Sequence, residues 1–189
     1  MSIVSFNELR DKAYKIACDH GFHKEDLSDE HFLMLVITEL SEVVEADRKD
    51  RWANKESYEL LSASSIERTG NKEYFNEVAF NHNIKDTVED ELADTVIRLM
   101  DLAGLRNINI LLTGKWNADL TKMTLTEAVF SIVRELSKSD SSSSLEKNIN
   151  RSIGKIIAIA EALNIDLFWF VEQKMKYNGL REQKHGKKY

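Results

Sequence analysis

The sequence predicts an all-α fold built as an antiparallel helical bundle. Along most of the chain, apolar residues recur at the 3.6-residue spacing of helices rather than at the two-residue spacing of strands. The chain contains no proline and only seven glycines, which disfavours both a β-rich fold with many turns and glycine loops that bind phosphates. With 189 residues, of which 42% are hydrophobic, it is long enough for a single domain with its own core.

The first two helices are predicted from their apolar spacing and their boundary residues. The first begins near Phe6 and ends near His20-Gly21, where glycine favours termination. The acids within Asp26–Glu30 then supply the N-cap and first turn of a longer helix. The apolar run of that helix extends from Phe32 to Ala46.

The middle of the chain has a weaker helical pattern. Trp52 and Tyr58, with nearby leucines, indicate one short helix, and Ser62–Asn71 is predicted to be a loop. A second long apolar run follows from Ile84 to Ala103, and a turn is expected at Gly104–Asn107.

Three further helices are predicted toward the end of the chain. They cover Leu125–Leu136, Leu145–Leu163 and Asp166 to about Asn178. The serine-rich run Asp140–Ser144 interrupts the helical pattern and is predicted to be an exposed connection.

Two carboxylates interrupt the apolar face of the second helix. Glu39 falls among apolar neighbours such as Val36 and Val43, and Glu42 lies three residues further on, at the edge of the same face. An unpaired charge in such a place costs several kcal/mol, so Glu39 needs a proton, a salt bridge or a cation. Carboxylates at i and i+3 can point at one spot, as a hard cation with oxygen ligands requires.

The second long apolar run repeats this arrangement with Glu91 and Asp94. If the two helices pack antiparallel, four carboxylates converge and can hold one or more Mg²⁺ or Mn²⁺ ions. One ExxE pair is common on solvated helices, whereas two such pairs on two apolar helices favour a metal site. Glu45, Asp90 and Asp101 turn further toward the polar side and are predicted to be solvated.

Cysteine content and hydropathy predict a soluble cytoplasmic protein. The only cysteine, Cys18, excludes an intramolecular disulfide framework and a CxxC zinc site, and it is interpreted as a small core residue in a reducing compartment. The start of the sequence lacks a basic region followed by an apolar one, and no stretch approaches 18 apolar residues. We therefore expect no membrane partner.

The last residues of the chain are basic. Residues 172–189 contain six Lys or Arg and two Glu, a net charge of +4, in a chain with a net charge of −6. This tail could be a solvated end, a nucleic-acid arm or a clamp for a polyphosphate, but the acidic body makes a nucleic-acid polymer an unfavourable partner. Lys174, Asn178 and Arg181 follow at intervals of four and three residues, so they could reach one anion.

Three segments together resemble the MazG-like, all-α nucleoside triphosphate pyrophosphohydrolases. The two acidic motifs Glu39-Leu40-Ser41-Glu42 and Glu91-Leu92-Ala93-Asp94 occur in the family's order, and Lys174 to Arg181 is similar to its Lys-x-x-x-Asn-x-x-Arg segment. The resemblance covers roughly Leu33–Asp47, Asp90–Ala103 and Lys174–Lys188. It implies Mg²⁺-dependent hydrolysis of a (deoxy)nucleoside triphosphate to the monophosphate and pyrophosphate, in a homodimer or higher oligomer.

The resemblance also implies roles for individual residues. Glu39, Glu42, Glu91 and Asp94 would coordinate Mg²⁺, or alternatively Mn²⁺, and Glu39 or Glu42 would take the proton of the attacking water. The basic tail would hold phosphate oxygens. The tail residues implied in this binding are Lys174, Asn178 and Arg181, with His185 and Lys187 as weaker candidates.

The spacing of the acidic motifs departs from the family pattern. Between Glu42 and Glu91 lie 48 residues, more than in compact members, so residues 47–83 are interpreted as an insertion. It could be a base-recognition lid, a subunit contact or a surface elaboration. Trp52 is the candidate there for stacking on a base, although an aromatic residue at helical spacing is more often part of a core.

Two other classes of protein fit part of the sequence. A di-iron carboxylate bundle would need two Glu-x-x-His motifs, and the sequence has one, Glu182 to His185. A non-catalytic helical regulatory or interaction protein would explain the bundle and its charged faces, but it leaves Glu39 without a partner.

Overall fold

The computed structural model describes residues 5–71, 74–138 and 145–186, without the side chains of Lys184 and His185. These residues form eight α-helices, a short 3₁₀ turn at Gln183–Gly186 and no strand, so the predicted all-α class is confirmed for them. The helices are α1 (Phe6–Asp19), α2 (Asp29–Arg48), α3 (Lys55–Thr69), α4 (Glu77–Asn83), α5 (Val88–Leu105), α6 (Leu125–Leu136), α7 (Leu145–Ala162) and α8 (Leu167–Leu180). The predicted connection at Asp140–Ser144 lies outside the described residues.

Polar side chains at the helix starts explain why several helices begin where they do. Ser5 and Thr124 form capping boxes with a glutamate three residues later. Ser28, Asn54 and Thr87 each accept a hydrogen bond from the backbone N–H three residues on. These caps satisfy N–H groups that have no partner within their helix.

Helix α3 differs from its prediction. The loop predicted at Ser62–Asn71 is wrong, because the helix continues to Thr69 and ends at Gly70, whose φ of 67° is left-handed. Serines disfavour helix interiors in isolation, but here Ser65 is buried and accepts a hydrogen bond from Asn76 Nδ2 at 2.9 Å. Tertiary contacts therefore override the weak local pattern.

Helices α2 and α5 pack antiparallel, as the sequence analysis required for a shared acidic site. Asp29, at the start of α2, pairs with Arg106 just after α5, at 2.6 Å. Glu39, further along α2, pairs with Arg98, further back on α5. Rising numbers on one helix therefore meet falling numbers on the other. Fully buried aliphatic side chains fill the contact, among them Val36, Leu40 and Val43 of α2 and Leu92, Val96 and Leu99 of α5.

Helix α5 is the centre of the fold. It contacts α1, α2, α7 and α8, so even acidic residues of its first turn are buried. One cluster of buried apolar side chains draws on all eight helices. Cys18 is exposed, so its prediction as a core residue is wrong. Among the described residues, no helix has the length and apolarity needed to cross a membrane. The consequence for function is that charges on α5 lie in a largely water-excluded environment.

Candidate metal centre

Carboxylates from α2 and α5 converge where the two helices cross. Glu39, Glu91 and Asp94 each place an oxygen within 4.8 Å of the other two. Glu39 and Glu91 are buried, and Asp94 is half-buried. The structure therefore brings together three of the four predicted metal ligands.

Glu42, the fourth predicted ligand, lies at the side of this triad. Its side chain is exposed and lines a small cavity together with Glu91, Asp86 and Arg51. Its negative charge contributes to raising the pKa of both Glu39 and Glu91. Glu42 is therefore electrostatically coupled to the triad without being one of its three members.

Arg98 is an internal partner for Glu39. Burial raises the pKa of Glu39 and the charge of Asp94 raises it further, while Arg98 opposes both effects. The guanidinium donates from Nε to Glu39 Oε1. Of the three partners expected for Glu39, namely a proton, a salt bridge or a cation, the structure shows the salt bridge.

Glu91 is the least stable of the three as an anion. Burial, followed by the nearby charge of Asp94, raises the pKa of Glu91 to about 9. At neutral pH the ion-free carboxyl group is therefore protonated. A divalent cation at this place would favour the ionised form and release the proton.

Asp90 is buried, so its prediction as a solvated charge is wrong. It is 1% exposed, and its Oδ2 accepts a hydrogen bond from Lys174 Nζ at 2.6 Å. Burial raises the pKa of Asp90 to about 6, and Lys174 limits the increase. Asp90 lies on the more polar side of α5, as its spacing predicts, but α8 covers that side and brings Lys174 onto it.

Asp101 is also largely buried, so its prediction as a solvated charge is wrong, whereas Glu45 is solvated as predicted. His23 Nε2 lies 2.6 Å from Asp101 Oδ1, and both side chains are largely buried. Burial raises the pKa of Asp101. Glu45 remains on the surface, where it pairs with Arg48 and Lys49.

A second acidic triad adjoins the first. Asp86, Asp90 and Glu91 also have oxygens within 4.8 Å of one another, so Glu91 belongs to both triads. Asp86 lies just before α5 with a left-handed φ of 59° and pairs with Lys85 and, at 3.7 Å, with Arg51. Sequence spacing gave no signal for this group, because Asp86 precedes the helix and joins it only through a tight turn.

The residues of the basic tail have different surroundings. Asn178 and Arg181 line a cavity together with Glu39, Asp94 and Arg98, and part of its wall is apolar, including Phe22, Phe32 and Leu35. Lys174 instead forms ion pairs with Asp90 and Asp94 of α5. The side chain of His185 and the whole of Lys187 lie outside the described residues.

Trp52 lies in the connection between α2 and α3, outside the short helix in which the sequence analysis placed it. Its side chain is 40% exposed, so it is not a core residue. The indole Nε1 donates a hydrogen bond to Asp50 at 3.1 Å. Trp52 is not among the residues that line the two cavities beside the acids.

The acidic residues fit a hard divalent cation. Carboxylate oxygens are the ligands that Mg²⁺ and Mn²⁺ prefer. Glu39 and Glu91 have raised pKa values, first because they are buried and then because the charge of Asp94 lies close to both. Within the described part of the chain, Asp90 Oδ1 is a buried oxygen that receives no hydrogen bond. Glu39, Glu91 and Asp94 are the residues best placed to hold the ion.

No family model, curated protein or solved structure matches this chain. The case for a metal site therefore depends on the geometry of the acidic residues alone. The two distinguishing features of this geometry are a buried carboxylate triad and an adjoining cavity with both apolar and cationic walls.

Proposed function

We propose that the protein is a Mg²⁺-dependent nucleoside triphosphate pyrophosphohydrolase, which converts a (deoxy)nucleoside triphosphate to the monophosphate and pyrophosphate. The observation that supports this best is the convergence of Glu39, Glu91 and Asp94 beside the cavity that Asn178 and Arg181 line. The motif resemblance supports the same reaction. The proposal includes the MazG-like bundle type, a cytoplasmic location and a single domain with an insertion at 47–83.

The carboxylates have distinct tasks in the proposed reaction. Glu39, Glu91 and Asp94 would hold Mg²⁺, which when bound would offset phosphate charge and make a water more acidic. The Glu39 carboxylate is already held in an ion pair by Arg98, which donates to its Oε1. Glu42 is exposed and lines a small cavity together with Glu91, so we assign it as the base. It takes the proton as the water oxygen attacks phosphorus and the α–β anhydride bond breaks.

The cavity beside the triad suits a nucleotide. Its apolar wall, which includes Phe22 and Phe32, matches a base and sugar, because most ligand pockets combine apolar walls with a few polar groups. Arg181 and Asn178 can donate hydrogen bonds to phosphate oxygens, and arginine offers several donors in a fixed plane.

A pyrophosphate-release assay over the standard and modified nucleoside triphosphates tests the proposal. We expect release from at least one substrate with Mg²⁺ and none with EDTA. Glu42→Gln should lower the rate roughly 100-fold or more, the usual range for a general base. Glu45→Gln is the matched control, because Glu45 lies one turn further on α2 and pairs with surface cations. Equal rates for the wild type and Glu42→Gln on every substrate would refute the proposal.

A non-catalytic helical regulatory protein is the second candidate. The observation that favours it is that Glu39 and Asp90 already have cationic partners in Arg98 and Lys174. These two buried carboxylates therefore need no metal ion to offset their charge. Under this alternative, Mg²⁺ would bind without any nucleotide turnover. The same substrate panel, combined with a metal-binding measurement, separates the two functions.

Self-association is part of the proposal. The segment 47–83 contributes exposed apolar side chains from α3 and α4, namely Leu60, Leu61 and Val78. Exposed apolar side chains of this kind are common at subunit contacts. Light scattering coupled to size-exclusion chromatography should give the mass of a dimer or a higher oligomer, and a monomer at micromolar concentration would contradict this part.

A further inference from the structure

Lys174 lies deeper in the acidic centre than a phosphate-binding residue would. Its side chain extends from α8 to α5, where Nζ lies 2.6 Å from Asp90 Oδ2 and 2.9 Å from Asp94 Oδ2. Only 4% of the residue is exposed. The aromatic rings of Phe80 and Tyr177 also lie near the ammonium, each with its centroid 5.8 Å from Nζ. An external anion could reach this ammonium only if the two carboxylate contacts were broken.

The two partners of Lys174 belong to different acidic triads. Asp94 is a member of the triad with Glu39 and Glu91, and Asp90 is a member of the triad with Asp86 and Glu91. The ammonium therefore bridges the two groups of carboxylates. It supplies one positive charge at a place where a divalent ion would supply two.

Extending the metal-binding part of the proposed function, on which this rests, we propose that Lys174 is a resident cation that competes with the divalent ion for Asp94. In the ion-free protein, Lys174 holds the Asp94 carboxylate and offsets its charge. When the divalent ion binds, Asp94 turns from the ammonium to the ion, and Lys174 keeps its contact with Asp90. Lys174 thus acts through Asp94 as a positioning residue, and its charge weakens divalent binding.

The positions of the charges predict in which direction Lys174 changes the affinity for a divalent ion. A cation next to a metal ligand opposes the metal both by direct repulsion and by holding the ligand. Removal of the ammonium should therefore tighten divalent binding, whereas a residue that bound only phosphate would leave binding of the free metal unchanged. Asp90 keeps Lys174 shared between two carboxylates. Loss of Asp90 should leave Lys174 on Asp94 alone and weaken metal binding.

A comparison of two variants isolates the effect of the Lys174 ammonium on metal binding. Lys174→Met alone would leave Asp90 buried without a cation, which is a common cause of misfolding. We therefore compare Asp90→Asn with the double variant Asp90→Asn, Lys174→Met, since neither contains the Asp90 carboxylate. Lys176→Met is the matched control, because Lys176 lies on the same helix with an exposed side chain. Circular dichroism and thermal melting confirm that each variant is folded.

Mn²⁺ binding, measured by electron paramagnetic resonance without any nucleotide, is the readout. We expect the double variant to bind Mn²⁺ roughly tenfold more tightly than Asp90→Asn, because it lacks one adjacent positive charge. Asp90→Asn itself should bind more weakly than the wild type, and Lys176→Met should match the wild type. Equal or weaker binding by the double variant would overturn the proposal, as would the absence of Mn²⁺ binding in the wild type.

A second measurement follows Lys174 directly in the wild type. A buried, hydrogen-bonded ammonium exchanges its protons slowly enough to be observed by ¹⁵N NMR of lysine side chains. Saturation with Mg²⁺ should shift this signal, and an unchanged signal would contradict the competition. Because no step involves nucleotide hydrolysis, this inference can fail while the proposed function stands, and it can hold in a protein that hydrolyses no nucleotide.

Discussion

Glu91→Gln should stabilise the ion-free protein at neutral pH. Its carboxyl group has a pKa of about 9 in the folded chain, against an ordinary value of 4.5. Between these two values the folded state holds a proton that the unfolded state has lost, so stability falls as pH rises through this window. At pH 7 the difference corresponds to an upper limit of about 3 kcal/mol. Glutamine keeps the shape of the protonated acid and removes this penalty.

Urea denaturation in EDTA measures the effect. We expect Glu91→Gln to raise the free energy of unfolding by about 1–3 kcal/mol at pH 7, and to have almost no effect near pH 4. Glu42→Gln is the control, because Glu42 is exposed, and its effect should stay within about 0.5 kcal/mol. In saturating Mg²⁺ the wild type should be more stable than Glu91→Gln, since this variant lacks one of the proposed metal ligands.

The result that would refute this reasoning is specific. If Glu91→Gln were no more stable than the wild type at pH 7 in EDTA, the carboxyl group would not be held protonated by burial. A gain of equal size at pH 4 and pH 7 would also contradict it. In that case the effect would come from packing rather than from the charge.

Two further predictions concern packing and ion pairing away from the acidic triads. Gly154→Ala should destabilise the protein by about 1–3 kcal/mol, because the new Cβ would lie 2.2 Å from Trp116 Nε1. Gly179→Ala, with no heavy atom within 4 Å of the new Cβ, should be neutral or slightly stabilising, and equal losses in thermal melts would contradict the packing argument. Burial acts to raise the pKa of Glu135, but basic neighbours outweigh it and lower that pKa. The three that contact its carboxylate are Lys138, Arg151 and Lys155. Glu135→Gln should therefore cost about 1–2 kcal/mol at pH 7 and progressively less as pH falls below 4.5, whereas a cost that did not change with pH would exclude the ion pairs as its cause.

Helix α6, whose amphipathic pattern is strong, was predictable, and helix α3, whose pattern is weak, was not. The run Leu125–Leu136 matches α6 at both ends, because a capping threonine precedes a clear apolar stripe. Helix α3 was divided incorrectly between helix and loop, since its serines have low helix propensity and its buried side is narrow. Its stability comes from contacts with other segments.

The candidate site was predictable to a similar extent. The spacing of Glu39, Glu91 and Asp94 placed them on facing sides of two helices, and they do converge. Asp90 was misassigned, because a helical pattern shows which side of α5 is polar but not which segment covers that side. Lys174 covers it from α8, 84 residues later in the chain.

The sequence by itself determined the all-α class, most helix boundaries and the order of acids along α2 and α5. These follow from periodicity and capping, which are local properties of the chain. Only the tertiary structure decided which acids are buried and which cation each one meets, because burial and ion pairing depend on segments that are distant in sequence. For that reason Asp90 and Lys174, a solvated charge and a phosphate ligand by sequence, became a buried pair inside the acidic centre.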